Sequence, residues 1–357
     1  MIVYVVGTAL SVLFTKLASS PYITNGKKLS DGFLKLFEVL AVLPLVLIAG
    51  FRVNVGTDYP TYVMAYEQPE IFSEHFGQGF MLFLYALRYI SVNPRIFFIA
   101  SSIFIYAPFV HTALKESDNP AFSVLFLVIS EDYFVSMNGI CQYMAIAIIW
   151  LAIAALRKGK LIKALILCFL AAQFHRTALC FLVAVLMYKL PLSLKKIAIL
   201  TAIACVAGII GRKYLVALII KYTSYGNYFS SDYANNQLSV ALPMMLIYVV
   251  IFFTTMILGD QKELNKRPEC RIFVIAVLLC ISVMALSYVL TENTYRLTYT
   301  FIGMIGFYFP AALKTFKTNK NRIIVEAAVV VLFTIWTTML ITHNNQNALP
   351  YYSILQL

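Results

Sequence analysis

The sequence contains little charge. Charged residues make up 12% of its 357 residues and only 16 are acidic, whereas hydrophobic residues make up 61% and the mean hydropathy is +0.82. Soluble domains carry about 25% charged residues. The composition therefore excludes an ordinary soluble protein and leaves no room for a soluble domain. It predicts one polytopic membrane domain over residues 1–357, an all-α bundle of about 12–13 transmembrane helices.

Motifs for common catalytic and metal sites are also missing. The chain has no Gly-x-x-x-x-Gly-Lys-Ser/Thr phosphate loop, no His-Glu-x-x-His and no Gly-x-Ser-x-Gly. Its six cysteines have no metal-ligand or disulfide spacing. Neither the pair Glu116 and Asp118 nor the pair Glu131 and Asp132 makes a convincing metal site. We expect no metal and no cofactor.

The net charge of +12 does not indicate a nucleic-acid partner. The basic residues form short clusters between apolar runs, as topology signals do. The predicted membrane spans are 2–18, 34–51, 78–92, 96–114, 120–135, 142–157, 161–175, 177–190, 196–211, 239–258, 272–290, 297–313 and 323–342.

The basic clusters predict which connections are cytoplasmic. They lie at residues 16–35, 157–163, 189–196, 262–271 and 314–322. We therefore expect the outer-face loops near 51–77, 131–142, 213–238 and 291–296. Four predicted spans separate loop 51–77 from residue 157, although alternation requires an odd number. Segment 78–92 is short, and we expect it to dip in and return, which places Lys115 on the cytoplasmic side.

A polar island, Arg52-Val-Asn-Val-Gly-Thr-Asp-Tyr-Pro-Thr-Tyr62, follows an apolar run of about eighteen residues, which is long enough to cross a bilayer. Charged groups beside lipid are costly unless they contact something polar. The island therefore suggests a binding or reaction site at a membrane face.

Other unusual polar residues fall in loops predicted on the same side. Each also has an ordinary structural interpretation. Arg52 and Arg296 are typical of snorkelling anchors, His175 of a helix-terminal hydrogen-bonding group, and Asp58 of a turn or helix cap. Convergence from four distant stretches nevertheless favours a shared site. Its candidate residues are Arg52, Asp58, Asn138, Gln142, His175, Arg176, Tyr295 and Arg296.

Loop 213–238 is rich in tyrosine, asparagine, serine and glycine. Tyrosines at a membrane face form interfacial belts, but flat rings beside hydrogen-bonding groups also suit stacking against sugars. Both interpretations stay open. The tyrosines are Tyr214, Tyr222, Tyr225, Tyr228 and Tyr233.

At these residues the chain resembles the EpsG family of bacterial membrane proteins, which is related in role to Wzy-type O-antigen and capsule polymerases. The resemblance extends over about residues 50–300 and depends on a combination of pieces that are weak singly. They are Arg52, Gly56-Thr-Asp-Tyr59 and Tyr62; Asn138, Ile140, Gln142 and Ala145; Phe174-His-Arg-Thr-Ala178; and Tyr295-Arg296.

The resemblance implies a GT-C-like membrane glycosyltransferase. It would join undecaprenyl-pyrophosphate-linked oligosaccharide repeats on the periplasmic or extracellular side of the bacterial cytoplasmic membrane, for O-antigen, capsule or exopolysaccharide. The implied partners are those lipid-linked sugars and membrane lipids, and a chain-length regulator is left open.

Arginine forks suit phosphate oxygens, which assigns Arg52, Arg176 and Arg296 to pyrophosphate. His175 is the expected base, and Asp58 the residue that orients an arginine or the acceptor. The wider substrate-binding set adds Tyr59, Tyr62, Asn138, Gln142 and Tyr295.

The chain departs from the family pattern at Cys141, where an arginine is usual. Either Arg52, Arg176 or Arg296 replaces that arginine, or the chain is impaired, divergent in substrate or altered by design. Two other functions stay open: a flippase of the same lipid-linked sugars and a membrane O-acyltransferase of surface polysaccharide. Charges at span ends and the lack of a visible repeat favour the polymerase over the flippase.

Overall fold

The computed structural model describes residues 1–20, 29–222, 238–288, 290 and 292–354. In these ranges the chain is helical, and its only β features are two isolated bridges, between Arg52 and Ser353 and between Gly259 and Phe316. The α-helices are α1 (Ile2–Ala18), α2 (Asp31–Gly50), α3 (Tyr59–Glu67), α4 (Gln78–Ile90), α5 (Arg95–Glu116), α6 (Pro120–Ile129), α7 (Asp132–Asn138), α8 (Ile140–Arg157), α9 (Leu161–Phe174), α10 (Phe181–Lys189), α11 (Leu194–Ile210), α12 (Arg212–Tyr222), α13 (Leu238–Leu258), α14 (Gln261–Lys266), α15 (Pro268–Ser287), α16 (Tyr299–Leu313) and α17 (Asn319–Thr342).

The predicted all-α membrane bundle is confirmed. Among the described residues, six helices are long and apolar enough to cross a membrane: α2, α5, α8, α13, α15 and α17. The count rises to eight if the bent pairs α6–α7 and α11–α12 each form one span. This is fewer than the 12–13 predicted, because several predicted spans fold as short helices. Helices α4, α10 and α16 have 13, 9 and 15 residues, and a straight crossing needs about 20.

The chain divides into two compact units, Met1–Leu179 with Ile324–Leu357, and Cys180–Ile323. In the first unit, one end is marked by Arg52. There the close approach of α2 to α5 requires a glycine, because a Cβ on Gly50 would lie 3.0 Å from the Cα of Ile99. Met137 lies near the end of α7, and its carbonyl accepts a hydrogen bond from Arg52. We call this the Arg52 end.

The opposite end is marked by Glu116, the last residue of α5. Its buried carboxylate pairs with Arg157 and, at 3.0 Å, with Lys158, where α8 ends. Nearby, Asn119 caps α6 and donates a hydrogen bond of 3.1 Å to Glu326 of α17. We call this the Glu116 end.

These contacts give three crossings between the first loop and residue 157: α5, the α6–α7 pair and α8. Helix α4 does not add a fourth. Its start packs against Gln173 at the end of α9, and Tyr66 of α3 donates to the carbonyl of Ser91, just after α4, at 2.5 Å. The arrangement agrees with the expectation that segment 78–92 turns back.

In the second unit, α15 packs against α10, α11, α13 and α16. The guanidinium of Arg271 donates to carbonyls at and beyond the end of α10, including those of Tyr188 at 2.9 Å and Leu192 at 2.8 Å. The Leu194 amide donates to Asn265 at 2.8 Å, and the Asp260 amide donates to the Thr315 carbonyl at 2.9 Å. Three of the basic clusters predicted to be cytoplasmic, near 189–196, 262–271 and 314–317, therefore lie at one end of this unit.

Candidate functional site

Arg52 is the centre of the polar island and is almost completely enclosed. It is 2% exposed. Its Nε donates to the carbonyl of Val55 at 3.0 Å, one Nη donates to the carbonyl of Ala49, and the other donates to that of Met137 at 2.7 Å. The guanidinium carbon lies 4.9 Å from the ring centre of Phe98. Burial lowers the Arg52 pKa from its usual value, but a guanidinium stays charged at neutral pH.

These contacts indicate a structural role for Arg52. Three peptide dipoles and an aromatic face stabilise its charge, in place of water or a carboxylate. The guanidinium thereby ties the end of α2 to the end of α7. The pyrophosphate role predicted for it stays a prediction, and the observed contacts favour an anchoring role.

The Gly-Thr-Asp segment of the island lies against Asn138. Gly56 has φ +104°, and an added Cβ would lie 2.6 Å from the Asn138 Oδ1, so both the backbone conformation and the space require glycine. The amide of Asp58 faces the same oxygen at 3.5 Å. Asp58 precedes α3 as its N-cap residue without a side-chain cap hydrogen bond, and its carboxylate accepts from Thr57 at 3.2 Å. Asp58 is only partly buried.

Tyr59 and Tyr62, at the start of α3, face inward onto aromatic rings. Tyr59 stacks on Phe98 with the ring centres 4.4 Å apart. Tyr62 is buried; its hydroxyl donates to the Cys141 sulfur at 3.7 Å and accepts from the Cys141 amide at 3.3 Å. Burial raises the Tyr62 pKa well above its usual value, so the hydroxyl keeps its proton. Both rings fix α3 in place, and Cys141 occupies a buried position beneath it.

The segment after α17 is part of this site, and the sequence did not predict it. It turns back through Asn344 and Asn347, both in the left-handed region at φ 58° and 49°. The Asn347 carbonyl accepts from the Gly56 amide at 2.9 Å, and the Tyr352 carbonyl accepts from the Val53 amide at 3.0 Å. The run of amide side chains in residues 344–347 is the sequence signal that could have indicated it. Residues 343–354 therefore form a C-terminal clasp over the polar island.

His175 and Arg176 follow the end of α9, which packs on the start of α4. Gly77 is required there, because a Cβ would collide with the Gln173 carbonyl. The Nδ1 of His175 lies 2.6 Å from the Thr177 hydroxyl, a contact within the predicted Phe-His-x-Thr-Ala turn. His175 is half-buried and Arg176 is exposed. Both are placed at the Arg52 end by the α4–α9 packing.

The remaining predicted residues lie in different parts of the structure. Gln142, in the first turn of α8, is buried. Tyr295 and Arg296 lie in the second unit, in a 3-10 helix over Glu292–Thr298, where Tyr295 packs edge-on against Tyr299 and Arg296 is exposed. In the tyrosine-rich loop, Tyr214 and Tyr222 belong to α12, whereas Tyr225, Tyr228 and Tyr233 fall outside the described residues.

The predicted site residues thus fall into three groups. The structure brings together Arg52, Asp58, Tyr59, Tyr62 and Asn138, with the unpredicted clasp around them. His175 and Arg176 share their unit and their end, and Tyr295 and Arg296 belong to the other unit. No cluster of three or more histidine, cysteine, aspartate or glutamate side chains with metal-binding geometry occurs in the described part of the chain.

The sequence model of the EpsG family matches residues 35–353, nearly the whole chain, from within α2 to the end of the C-terminal clasp. No curated protein and no solved structure matches the chain.

Proposed function

The chain belongs to the EpsG family, and from that premise we propose that it is a polysaccharide polymerase. The family suggests a polymerase-like membrane protein of polysaccharide synthesis. The proposed substrates are undecaprenyl-pyrophosphate-linked oligosaccharide repeats. In this proposal the Arg52 end faces the periplasm or the cell exterior, and the Glu116 end faces the cytoplasm, next to the basic cluster at 157–163.

One observation carries the proposal beyond the family match. Three separate stretches of a largely apolar chain meet at the Arg52 end and bring polar groups together: the polar island, the α7–α8 junction and the C-terminal clasp. The α9 turn lies at the same end. Polar groups at a membrane face are costly, so polar groups assembled there from three stretches favour a polar ligand.

The proposed reaction is a glycosyl transfer between two lipid-linked units. A hydroxyl oxygen of the acceptor forms a bond to the anomeric carbon of the donor's reducing-end sugar. The bond from that carbon to the pyrophosphate oxygen breaks, and undecaprenyl pyrophosphate leaves with the electron pair. The hydroxyl proton passes to a base. Negative charge builds on the leaving group, so cationic donors placed there stabilise the transition state more than the ground state.

We assign the roles by exposure. Arg176, in the first unit, and Arg296, in the second, are exposed, and each is proposed to bind phosphate oxygens. His175 is the proposed base; its Nδ1 contact with Thr177 leaves the ring oriented by its own turn. Asp58 orients the acceptor. Arg52, Tyr59 and Tyr62 hold the island and α3 in place, because their contacts are already made within the protein.

A deletion strain separates this function from its two alternatives. Loss of a polymerase leaves single repeat units on the outer face of the membrane. Loss of a flippase leaves them on the inner face, and loss of an O-acyltransferase leaves long chains without acyl groups. Single units inside, or long unacylated chains, would contradict the proposal.

The direct test uses purified protein in proteoliposomes with a defined lipid-linked repeat and follows product length on a gel. Wild-type protein should make a ladder. His175→Ala and Arg296→Ala should abolish chain lengthening at an unchanged protein level. A normal ladder from both variants would overturn these two assignments.

A further inference from the structure

The C-terminal clasp contacts the polar island at side chains as well as along the backbone. Asn138 is 6% exposed, and its carboxamide nitrogen donates twice to Gln346, to the backbone carbonyl at 3.0 Å and to the side-chain Oε1 at 2.7 Å. Those two bonds account for both N–H groups of the Asn138 carboxamide. Gln346 therefore determines which way the Asn138 amide points.

The orientation of the Asn138 amide also determines which atom its other side presents to the island. With its nitrogen turned to Gln346, Asn138 presents Oδ1 to the Gly56–Asp58 backbone, where the Asp58 amide lies 3.5 Å away. A flipped amide would place an NH2 group against the N–H of Asp58, so two donors would face each other. The contact between Gln346 and Asn138 therefore propagates to the residue that begins α3.

The clasp is itself held firmly enough to act in this way. Its backbone is held on both sides of Gln346: the Asn345 amide donates to the Leu340 carbonyl of α17 at 3.1 Å, the Asn347 carbonyl accepts from the Gly56 amide of the island at 2.9 Å, and the Ala348 carbonyl accepts from the Tyr4 hydroxyl of α1 at 2.8 Å. Gln346 is thus presented to Asn138 from a fixed backbone, which limits the entropy lost on making the contact.

We propose that Gln346 is a positioning residue: it locks the Asn138 amide, and through it the Gly56–Asp58 segment, in the orientation that the reaction requires. This inference rests on the proposed function for its catalytic consequence, because Asp58 is the residue proposed to orient the acceptor. Its structural part, the control of the Asp58 backbone, is independent of any substrate.

Three variants of the full chain test it in proteoliposomes. Gln346→Leu removes the Oε1 acceptor at similar size. Gln346→Glu keeps an acceptor oxygen that Asn138 can donate to. Asn319→Leu is the matched control, since Asn319 is an exposed amide side chain at the start of α17, outside both the clasp and the polar island.

Two measurements are made on each protein. Polymerisation of a defined lipid-linked repeat gives kcat and KM, and hydrogen–deuterium exchange without substrate follows peptides that contain residues 56–58. We expect Gln346→Leu to lower kcat about fivefold, the worth of about one hydrogen bond, with KM little changed. The same variant should speed exchange in the 56–58 peptides. Gln346→Glu should restore both quantities, and Asn319→Leu should change neither.

The outcomes are separable. Wild-type exchange in Gln346→Leu overturns the inference whatever the activity, and so does a Gln346→Glu protein as impaired as Gln346→Leu. If faster exchange occurs but kcat is unchanged, the catalytic part is overturned. If the wild-type protein forms no polymer, the proposed function fails, and exchange alone decides whether Gln346 controls the Asp58 segment.

Discussion

The two ends of the first unit each bury a charged side chain, and they stabilise it by different means. At the Arg52 end, peptide carbonyls and aromatic rings surround the charge. At the Glu116 end, a carboxylate with 0% side-chain exposure pairs with the cations of Arg157 and Lys158.

The difference separates two kinds of polar site. The Glu116 pairs join the last residues of α5 and α8, so charges of opposite sign compensate each other and the result is a latch between two helices. In the described part of the chain, Arg52 contacts carbonyls and aromatic rings rather than a compensating anion, and the residues around it reach the surface at Asp58. We infer that the Glu116 end serves stability, whereas the Arg52 end also serves ligand binding.

The largest expected effect is at His175. His175→Ala removes the proposed base, and general base catalysis is typically worth 10²–10⁴-fold, so the polymerisation rate should fall at least about 100-fold. The measurement is product length and initial rate in proteoliposomes. His75→Ala, at an exposed position between α3 and α4, is the matched control. A rate within about twofold of wild type for His175→Ala would show that His175 is not the base of the reaction.

Arg52→Lys should damage both stability and activity. A lysine carries the charge but lacks the planar fork that reaches three carbonyls, so at least one buried carbonyl loses its donor. We expect a loss of about 3 kcal/mol in unfolding free energy, measured by thermal unfolding in detergent, with polymerisation reduced beyond the loss of folded protein.

The result would also test the anchoring role. If Arg52→Lys unfolds at the wild-type temperature and loses only activity, Arg52 contacts the substrate directly and its position as an internal anchor is wrong. The Arg52 end would then be a charged binding surface.

Glu116→Gln should lower stability alone. Removing the negative charge leaves Arg157 and Lys158 without their partner, but both cations are partly exposed, at 24% and 50% of their side chains, and water can solvate them. We therefore expect the unfolding free energy to fall by about 2 kcal/mol, less than the loss of about 3–5 kcal/mol that is typical when a fully buried pair is broken. The specific activity of the folded protein should not change. A drop in specific activity would mean that the Glu116 end also contributes to the reaction.

The helices could be predicted from the sequence because each apolar run is a local property. The predicted span 2–18 and α1 have the same bounds, and α8, α9 and α17 begin within a few residues of their predicted positions. The number of crossings was harder. Short runs such as 78–92 have the composition of a span, and the expectation that this segment turns back depends on contacts that the sequence does not show, those of Gln173 and Ser91 with the elements around α4.

The site was predictable in part for the same reason. Asp58 and Asn138 stand out as polar residues in an apolar chain, but the carbonyl acceptors of Arg52 carry no sequence signal, because every residue has a carbonyl. The clasp was missed because its contact with the site spans 208 positions, from Asn138 to Gln346; the amide run at 344–347 indicates a polar turn, but nothing local indicates its partner.

Cys141→Ser should have the smallest effect, and the reason lies in the contact that Cys141 makes. Its sulfur faces the Tyr62 hydroxyl at 3.7 Å, in a buried layer beneath α3. A serine hydroxyl can exchange a hydrogen bond with Tyr62 at nearly the same volume. We expect unfolding free energy to change by less than about 1 kcal/mol and polymerisation to stay within about twofold, measured in the same detergent and proteoliposome assays.

The variant also tests whether the position is functional in this chain. The resemblance places an arginine where Cys141 stands, and a guanidinium there would have to displace the Tyr62 ring or leave the layer. If phosphate is bound by other arginines of the chain, a small uncharged side chain at 141 is sufficient, and serine should serve as well as cysteine. A loss of about tenfold or more in Cys141→Ser at unchanged stability would mean that the thiol itself takes part, and the reactive surface of the Arg52 end would then extend beneath α3.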